Sequence, residues 1–122
     1  MAKMNQEVKK EWVADLRSGA IHKQLGQLRR GNRMCALGVL CNVHAKHHPE
    51  IAAKQTKKSE YMGHNVSLPA EVKKWAGLDS YDPHLNMVDP SSDRIINRRL
   101  SILNDAHHVS FKKMADLIEE QL

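Results

Sequence analysis

Apolar residues recur at helical spacing in five stretches of the chain. Val8, Trp12, Val13 and Leu16 share one face of a segment that Asn5 can cap and Ser18-Gly19 can stop, so a helix is predicted to run to about Arg17. Leu37, Leu40 and Val43, with Ala36, share a side between Met34 and His48. Pro49 is expected to end that helix, because the residue before a proline avoids the helical region. Ser67-Leu68-Pro69 opens a third helix through Val72 and Trp75 to Gly77. A fourth is read from Asp93 through Ile95, Ile96, Leu100 and Leu103. Ser110 caps a fifth, on which Phe111, Met114, Ala115, Ile118 and Leu122 recur.

The stretches between them lack this period. In residues 20–33, Leu25, Gly26 and Leu28 are interrupted by basic residues, and Gly31-Asn32 reads as a tight turn. A loop with at most a short strand is expected there. Residues 50–60 are polar and basic with no second apolar face, the pattern of a mobile loop. Tyr61–Val66 is a short-strand candidate. So is His84–Val88, whose alternation puts Leu85 and Met87 on one side. The predicted fold is α+β but mostly α, with about five helices and a small two- or three-stranded sheet. A chain of 122 residues makes it a single compact domain.

Composition narrows the setting. No apolar run approaches the roughly 20 residues that span a bilayer. The opening MAKMNQEVKKEWV lacks the apolar core of a secretory signal. Cys35 and Cys41 lie six residues apart in one helical stretch, and their side chains diverge by about 240°. Free thiols are therefore expected, and with them a reducing cytosol. The net charge of +5 is uneven: residues 1–60 carry a balance of +7 and residues 61–122 a balance of −2. An acidic partner for the basic half follows as an expectation.

Several segments together resemble an uncharacterised family of small proteins from bacteriophages and prophages. They are Trp12-x3-Leu16-Arg17-Ser18-Gly19, then Arg33-Met34-Cys35-Ala36-Leu37-Gly38-Val39-Leu40-Cys41. Leu68-Pro69 follows, with Val72 and Trp75-Ala76-Gly77-Leu78. Last come Leu103-Asn104-Asp105, Ser110-Phe111 and Ala115-Asp116-x-Ile118-Glu119. The chain departs from that pattern at Cys35-Ala36, where relatives carry adjacent cysteines, and at His107-His108-Val109, where they carry a glycine. The resemblance implies a phage-linked origin and a place in the host bacterial cytosol. It implies no activity.

Three chemistries can be drawn from the central stretch. Cys41, His44 and His48 fall within about 60° on a helix and could hold zinc, with His47, His107 or His108 as a fourth ligand. Otherwise no cofactor is expected. Cys35 follows a turn bearing Arg30 and Arg33, and helix-terminal amides with nearby guanidinium groups lower a thiol's pKa. A papain-like order would then use Gln24 or Gln27, Cys35, His64 and Asn86, which describes a cysteine hydrolase. The basic cluster Lys23, Arg29, Arg30 and Arg33, with Arg17 nearby, offers the third chemistry. It could meet an acidic protein surface, nucleic-acid phosphates or a small phosphorylated ligand. Ser110–Asp116 resembles the first helix of a helix-turn-helix, but an acidic last turn opposes DNA reading there. Asn104-Asp105, Trp12 and Trp75 are read as structural.

The expectation is a non-enzymatic binding protein, ahead of the hydrolase. Its basic turn would meet a host protein or a protein–nucleic-acid complex, inhibiting or modulating it, as in countering host defence. No membrane partner is expected, and oligomeric state is not readable from the sequence.

Overall fold

The computed structural model describes residues 3–30, 33–54, 60–105 and 109–122. Helix α1 spans Gln6–Arg17, and the Asn5 carboxamide accepts from the Glu7 and Val8 amides at 2.9 and 3.2 Å, which fixes its start. It buries Val8, Trp12, Val13 and Leu16. Helix α2, Ala36–His47, buries residues on every side, including Ala36, Leu37, Gly38, Leu40, Val43 and His44. A helix apolar all round is a core helix. It contacts α1, the Arg33–Met34 strand and the helices over Pro49–Ala53, Ala70–Ala76 and Leu100–Asp105. The Trp12 indole locks α1 to α2 by donating to the Ala36 carbonyl at 2.9 Å.

Between α1 and α2 run three two-residue strands: β1 (His22–Lys23), β2 (Arg29–Arg30) and β3 (Arg33–Met34). They order as β1-β3-β2, with β1 parallel and β2 antiparallel to β3. The stretch expected to be a loop is thus a miniature sheet. Its anticipated Gly31-Asn32 turn lies outside the described residues.

Pro49 ends α2 as expected, since His48 is non-helical at φ −134°. The same proline then starts a short helix, α3 (Pro49–Ala53), where its missing N–H costs nothing. Residues 50–53 of the stretch expected to be mobile belong to α3; 55–59 lie outside the described residues. Tyr61–His64 is only an isolated bridge. Met62 and Gly63 both have positive φ (51° and 84°), which makes it a tight reversal in place of the predicted strand. Helix α4, Ala70–Ala76, ends at a left-handed Gly77. Ser67 does not cap it; Pro69 occupies that position with no side-chain bond.

Strand β4 (His84–Val88) buries Leu85 as its alternation predicts. The helix read from Asp93 is corrected. Residues Ile95–Arg99 form strand β5, antiparallel to β4, and helix α5 covers only Leu100–Asp105. The cause is the turn. The Asp89 carboxylate accepts from the Ser91 amide and hydroxyl, Asp93 adopts a left-handed φ of 56°, and the Asp89 amide bonds the Arg94 carbonyl at 2.8 Å. That returns the β-branched pair Ile95-Ile96 alongside Val88 and Met87.

The final helix α6, Phe111–Gln121, starts where the Ser110 hydroxyl accepts from the Lys113 amide at 3.1 Å. It packs its buried Met114, Ala115, Leu117 and Ile118 in the core and lies along α1. The described residues therefore form one mostly helical domain with two small sheets. No helix among them is long and apolar enough to cross a membrane.

Candidate functional site

The miniature sheet sorts the basic cluster into two rows. Arg33 pairs directly with Arg30 on one side and with His22 on the other. Residues directly opposite in a sheet share a face, and all three are exposed. The neighbouring row, Lys23–Met34–Arg29, faces inward: Met34 is buried, Lys23 and Arg29 half-buried. The four predicted binding residues thus divide. Arg30 and Arg33 stay together at the surface, joined by His22, which sequence reasoning missed. Lys23 and Arg29 do not join them.

Both inward cations are drawn into the fold. Lys23 Nζ donates to the Val109 carbonyl at 2.8 Å, and burial pushes its pKa down. Arg29 lies close enough to Cys41 and Tyr61 to favour their ionised forms, and its Nε is buried without a hydrogen-bond partner among the described residues. Arg17 has partners of its own: its guanidinium forks to Asp116 at 2.7 Å and Glu119 at 2.8 Å. Those pairs and the Lys9 bond to the Glu119 carbonyl tie the acidic side of α6 to α1. By contrast, Arg30 and Arg33 have no ion pair among the described residues. Two like charges directly opposite each other destabilise a strand pair unless an anion arrives.

The sheet is seated on the start of α2 by backbone. The Leu28 carbonyl accepts from the Cys35 amide at 3.1 Å, and the Leu28 amide donates to the Asn65 carbonyl at 2.7 Å. Gly38 lets this strand approach: a Cβ there would lie 1.7 Å from the Leu28 oxygen. The Asn104 side chain closes the other flank, bonding the Ala36 amide and the Gln24 carbonyl.

Of the residues of the thiol reading, Cys35, His64, Asn86 and Gln24 have other partners. Cys35 caps α2, its sulfur accepting from the Gly38 amide at 3.4 Å. Burial pushes this thiol up to about 11, against the expected lowering; Gly38 and Leu37 amides offset only part of it. His64 is exposed and its ring meets Ser67 at 3.5 Å. Asn86 is held by Gln121 and Asn97. Gln24 spends its carboxamide on the Leu25 carbonyl.

The metal reading meets the same outcome. His44 Nδ1 lies 2.6 Å from the Tyr61 hydroxyl, His48 Nδ1 lies 2.8 Å from the His44 carbonyl, and the two rings stack at 4.0 Å. His47 turns to Glu11 at 2.6 Å. Burial drives the Cys41 thiol pKa upward, away from the thiolate a metal needs. Among the described residues no three His, Cys, Asp or Glu side chains are grouped to hold a metal ion. His107 and His108 lie outside those residues.

The model of a family described as Domain of unknown function (DUF8296) matches residues 4–122. The chain belongs to that family. No curated protein and no solved structure matches it.

One buried group of this DUF8296 domain has a consequence for stability. Burial raises the Tyr61 hydroxyl pKa, so it stays protonated, and it shares a hydrogen bond with His44 Nδ1. The other ring nitrogen, Nε2, has no hydrogen-bond partner among the described residues and lies 3.8 Å from Glu71. Burial, helped by His48, holds the His44 pKa below its ordinary value; Glu71 and Glu50 oppose this. The unfolded chain therefore binds a proton at His44 before the folded one does. This contribution to stability is whole above about pH 6.5 and is lost as pH falls toward the depressed value. Its slope cannot exceed about 1.4 kcal/mol per pH unit. Urea unfolding from pH 8 to pH 5 is expected to show the decline, and His44→Gln to flatten it. An unchanged slope in that variant would assign the decline to other groups.

Proposed function

We propose that this domain is a small binding protein whose Arg30–Arg33–His22 row receives an acidic surface of a partner protein. The supporting observation is the pair of opposed, exposed guanidinium groups without a carboxylate among the described residues. An incoming acidic surface removes their mutual repulsion, and arginine forks suit carboxylates. The phage resemblance of the sequence motifs makes the partner a host protein of the bacterial cytosol, with inhibition or modulation as the outcome. The row is short and has no aromatic interleaving, which favours protein over single-stranded nucleic acid. A buried Cys35 thiol held protonated favours binding over hydrolysis.

Capture from host lysate by the full chain tests the reading. Arg30→Glu with Arg33→Glu should reduce retention of the captured protein by about tenfold or more, with the thermal midpoint unchanged. Lys112→Glu with Lys113→Glu alters net charge equally on exposed α6 positions and should change retention by less than about twofold. Equal losses in both variants, or none in the first, overturn the proposal. Loss of capture after nuclease treatment would give the row to nucleic acid instead.

A further inference from the structure

The β4–β5 hairpin has one closed edge and one open edge. The Gln121 carboxamide accepts from the Asn86 amide and donates to the Asn86 carbonyl, both at 2.7 Å, as a neighbouring strand would. Asn86 therefore points its backbone away from β5, toward α6. In an antiparallel ladder, residues that bond the partner strand alternate with residues that face outward. Asn86 pairs with Asn97, so Asn97 also faces outward, together with Ile95 and Arg99. Two further bonds set the same alternation. The Asp89 amide meets the Arg94 carbonyl and the Leu100 amide meets the Pro83 carbonyl, so Arg94, Ile96, Arg98 and Leu100 are the inward set.

Gln121 and α6 cover the β4 side. On the β5 side, the amides of Ile95, Asn97 and Arg99 have no partner among the described residues, while the Asn97 carbonyl accepts from the Arg98 guanidinium at 2.9 Å, a bond that an arriving strand would replace. A bare two-stranded hairpin is marginal in water. Here Val88 (55% exposed) and Ile95 (76% exposed) stand opposite each other as an uncovered apolar pair.

We propose that the outer edge of β5 docks an extended acidic peptide segment, which joins the hairpin as a third strand. Main-chain bonds to Ile95, Asn97 and Arg99 give affinity, and an apolar residue covers Ile95 and Val88. Charge selects the occupant. Residues 94–99 hold Arg94, Arg98 and Arg99 and no carboxylate. A second copy pairing along this edge would bring both sets of arginines together, so the edge repels itself and attracts an acidic strand. The acids of the hairpin, Asp89 and Asp93, sit in its turn, beyond the strand.

A labelled peptide of alternating glutamate and valine, seven residues long, titrated into the full chain tests this by fluorescence anisotropy at low salt. Two N-methylated versions, one blocked at the valine nitrogens and one at the glutamate nitrogens, each block one edge of the peptide. One version should lose binding by about tenfold or more and the other should stay within about twofold. Arg98→Glu with Arg99→Glu should cost about tenfold as well. Arg30→Glu with Arg33→Glu should leave this peptide's affinity within about twofold, which keeps the test separate from that of the arginine row. Four results overturn the proposal. They are no binding at about 1 mM, equal binding of both methylated peptides, equal binding of a glutamine-for-glutamate peptide, or a dimer in sedimentation that Asn97→Pro dissolves. The last would give the edge to a second copy, since proline there removes an outward amide and no ladder bond to β4, its other losses being the exposed side-chain bonds of Asn97 to Asn86 and His84.

Discussion

Gly38→Ala is expected to destabilise the domain by about 3 kcal/mol or more, although alanine is the better helix former by about 1 kcal/mol. The reason is that the new methyl meets backbone. It would lie 1.7 Å from the Leu28 oxygen and 2.7 Å from the Leu28 carbonyl carbon, with Met34 Cβ at 3.3 Å. A flexible side chain could swing aside, but Leu28 is held on both sides. Its carbonyl is bonded to the Cys35 amide and its amide to the Asn65 carbonyl. Yielding means lifting the strand segment from α2 and breaking at least one buried backbone bond. Against a typical total of about 5–15 kcal/mol, the loss is large. Urea denaturation should show a lower midpoint with the slope unchanged. The arginine row should loosen with it, because β2 begins at Arg29, the residue after Leu28. A variant as stable as the parent, or more so, would mean the close approach does not exist in solution.

Gly38 also shows what local sequence can and cannot convey. A glycine inside an apolar helical run reads as a mild propensity cost; its use depends on a residue ten positions earlier. The helices with side-chain caps and one clear face, α1 and α6, were legible because period and punctuation agreed; α4 was legible from its period and from Gly77 at its end. Strand β5 was not. Ile95, Ile96, Leu100 and Leu103 fit a helical stripe as well as a strand followed by a helix, and only the Asp89–Asp93 turn decides between them. The basic cluster was legible as composition but not as a surface. Adjacent residues in a strand point to opposite faces, so Arg29 and Arg30 had to part once that segment became β2. Which of them met Arg33 depended on register with a strand across a turn, and His22 joined only through the parallel pairing with β1. Cys35 misled for a different reason. The helix-start amides of Gly38 and Leu37 favour a thiolate, but burial outweighs them and the charges that reach Cys35 are Asp105 and Asp82, which oppose it; both burial and these neighbours are properties of the whole fold.

Asn104→Asp should be the second severe variant, and its pH dependence should run opposite to that of His44. Asn104 is buried and uses both ends of its carboxamide. Its Oδ1 accepts from the Ala36 amide at 3.3 Å, one of the amides that a helix start leaves unpaired. Its Nδ2 donates to the Gln24 carbonyl at 3.0 Å and to the Asp105 carboxylate at 2.7 Å. Aspartate matches the shape and keeps the acceptor toward Ala36. It loses both donors and sets a carboxylate against a carbonyl oxygen and a second carboxylate. Losing two buried donors and placing an unpaired charge there costs about 3 kcal/mol at neutral pH. Protonation restores one O–H donor, so the folded variant binds a proton more tightly at this position than the unfolded chain does. The added term makes stability rise as pH falls, and it is lost as pH rises through the folded value. The gap between variant and parent, measured by urea unfolding, should therefore narrow from pH 7 to pH 5. Because Asn104 bridges the segment between β1 and β2 to the first turn of α2, the same variant should weaken partner capture by the arginine row at pH 7 and recover part of it at pH 5. A gap that stays constant across that range would mean the Asn104 carboxamide is hydrated and does not hold the sheet in place.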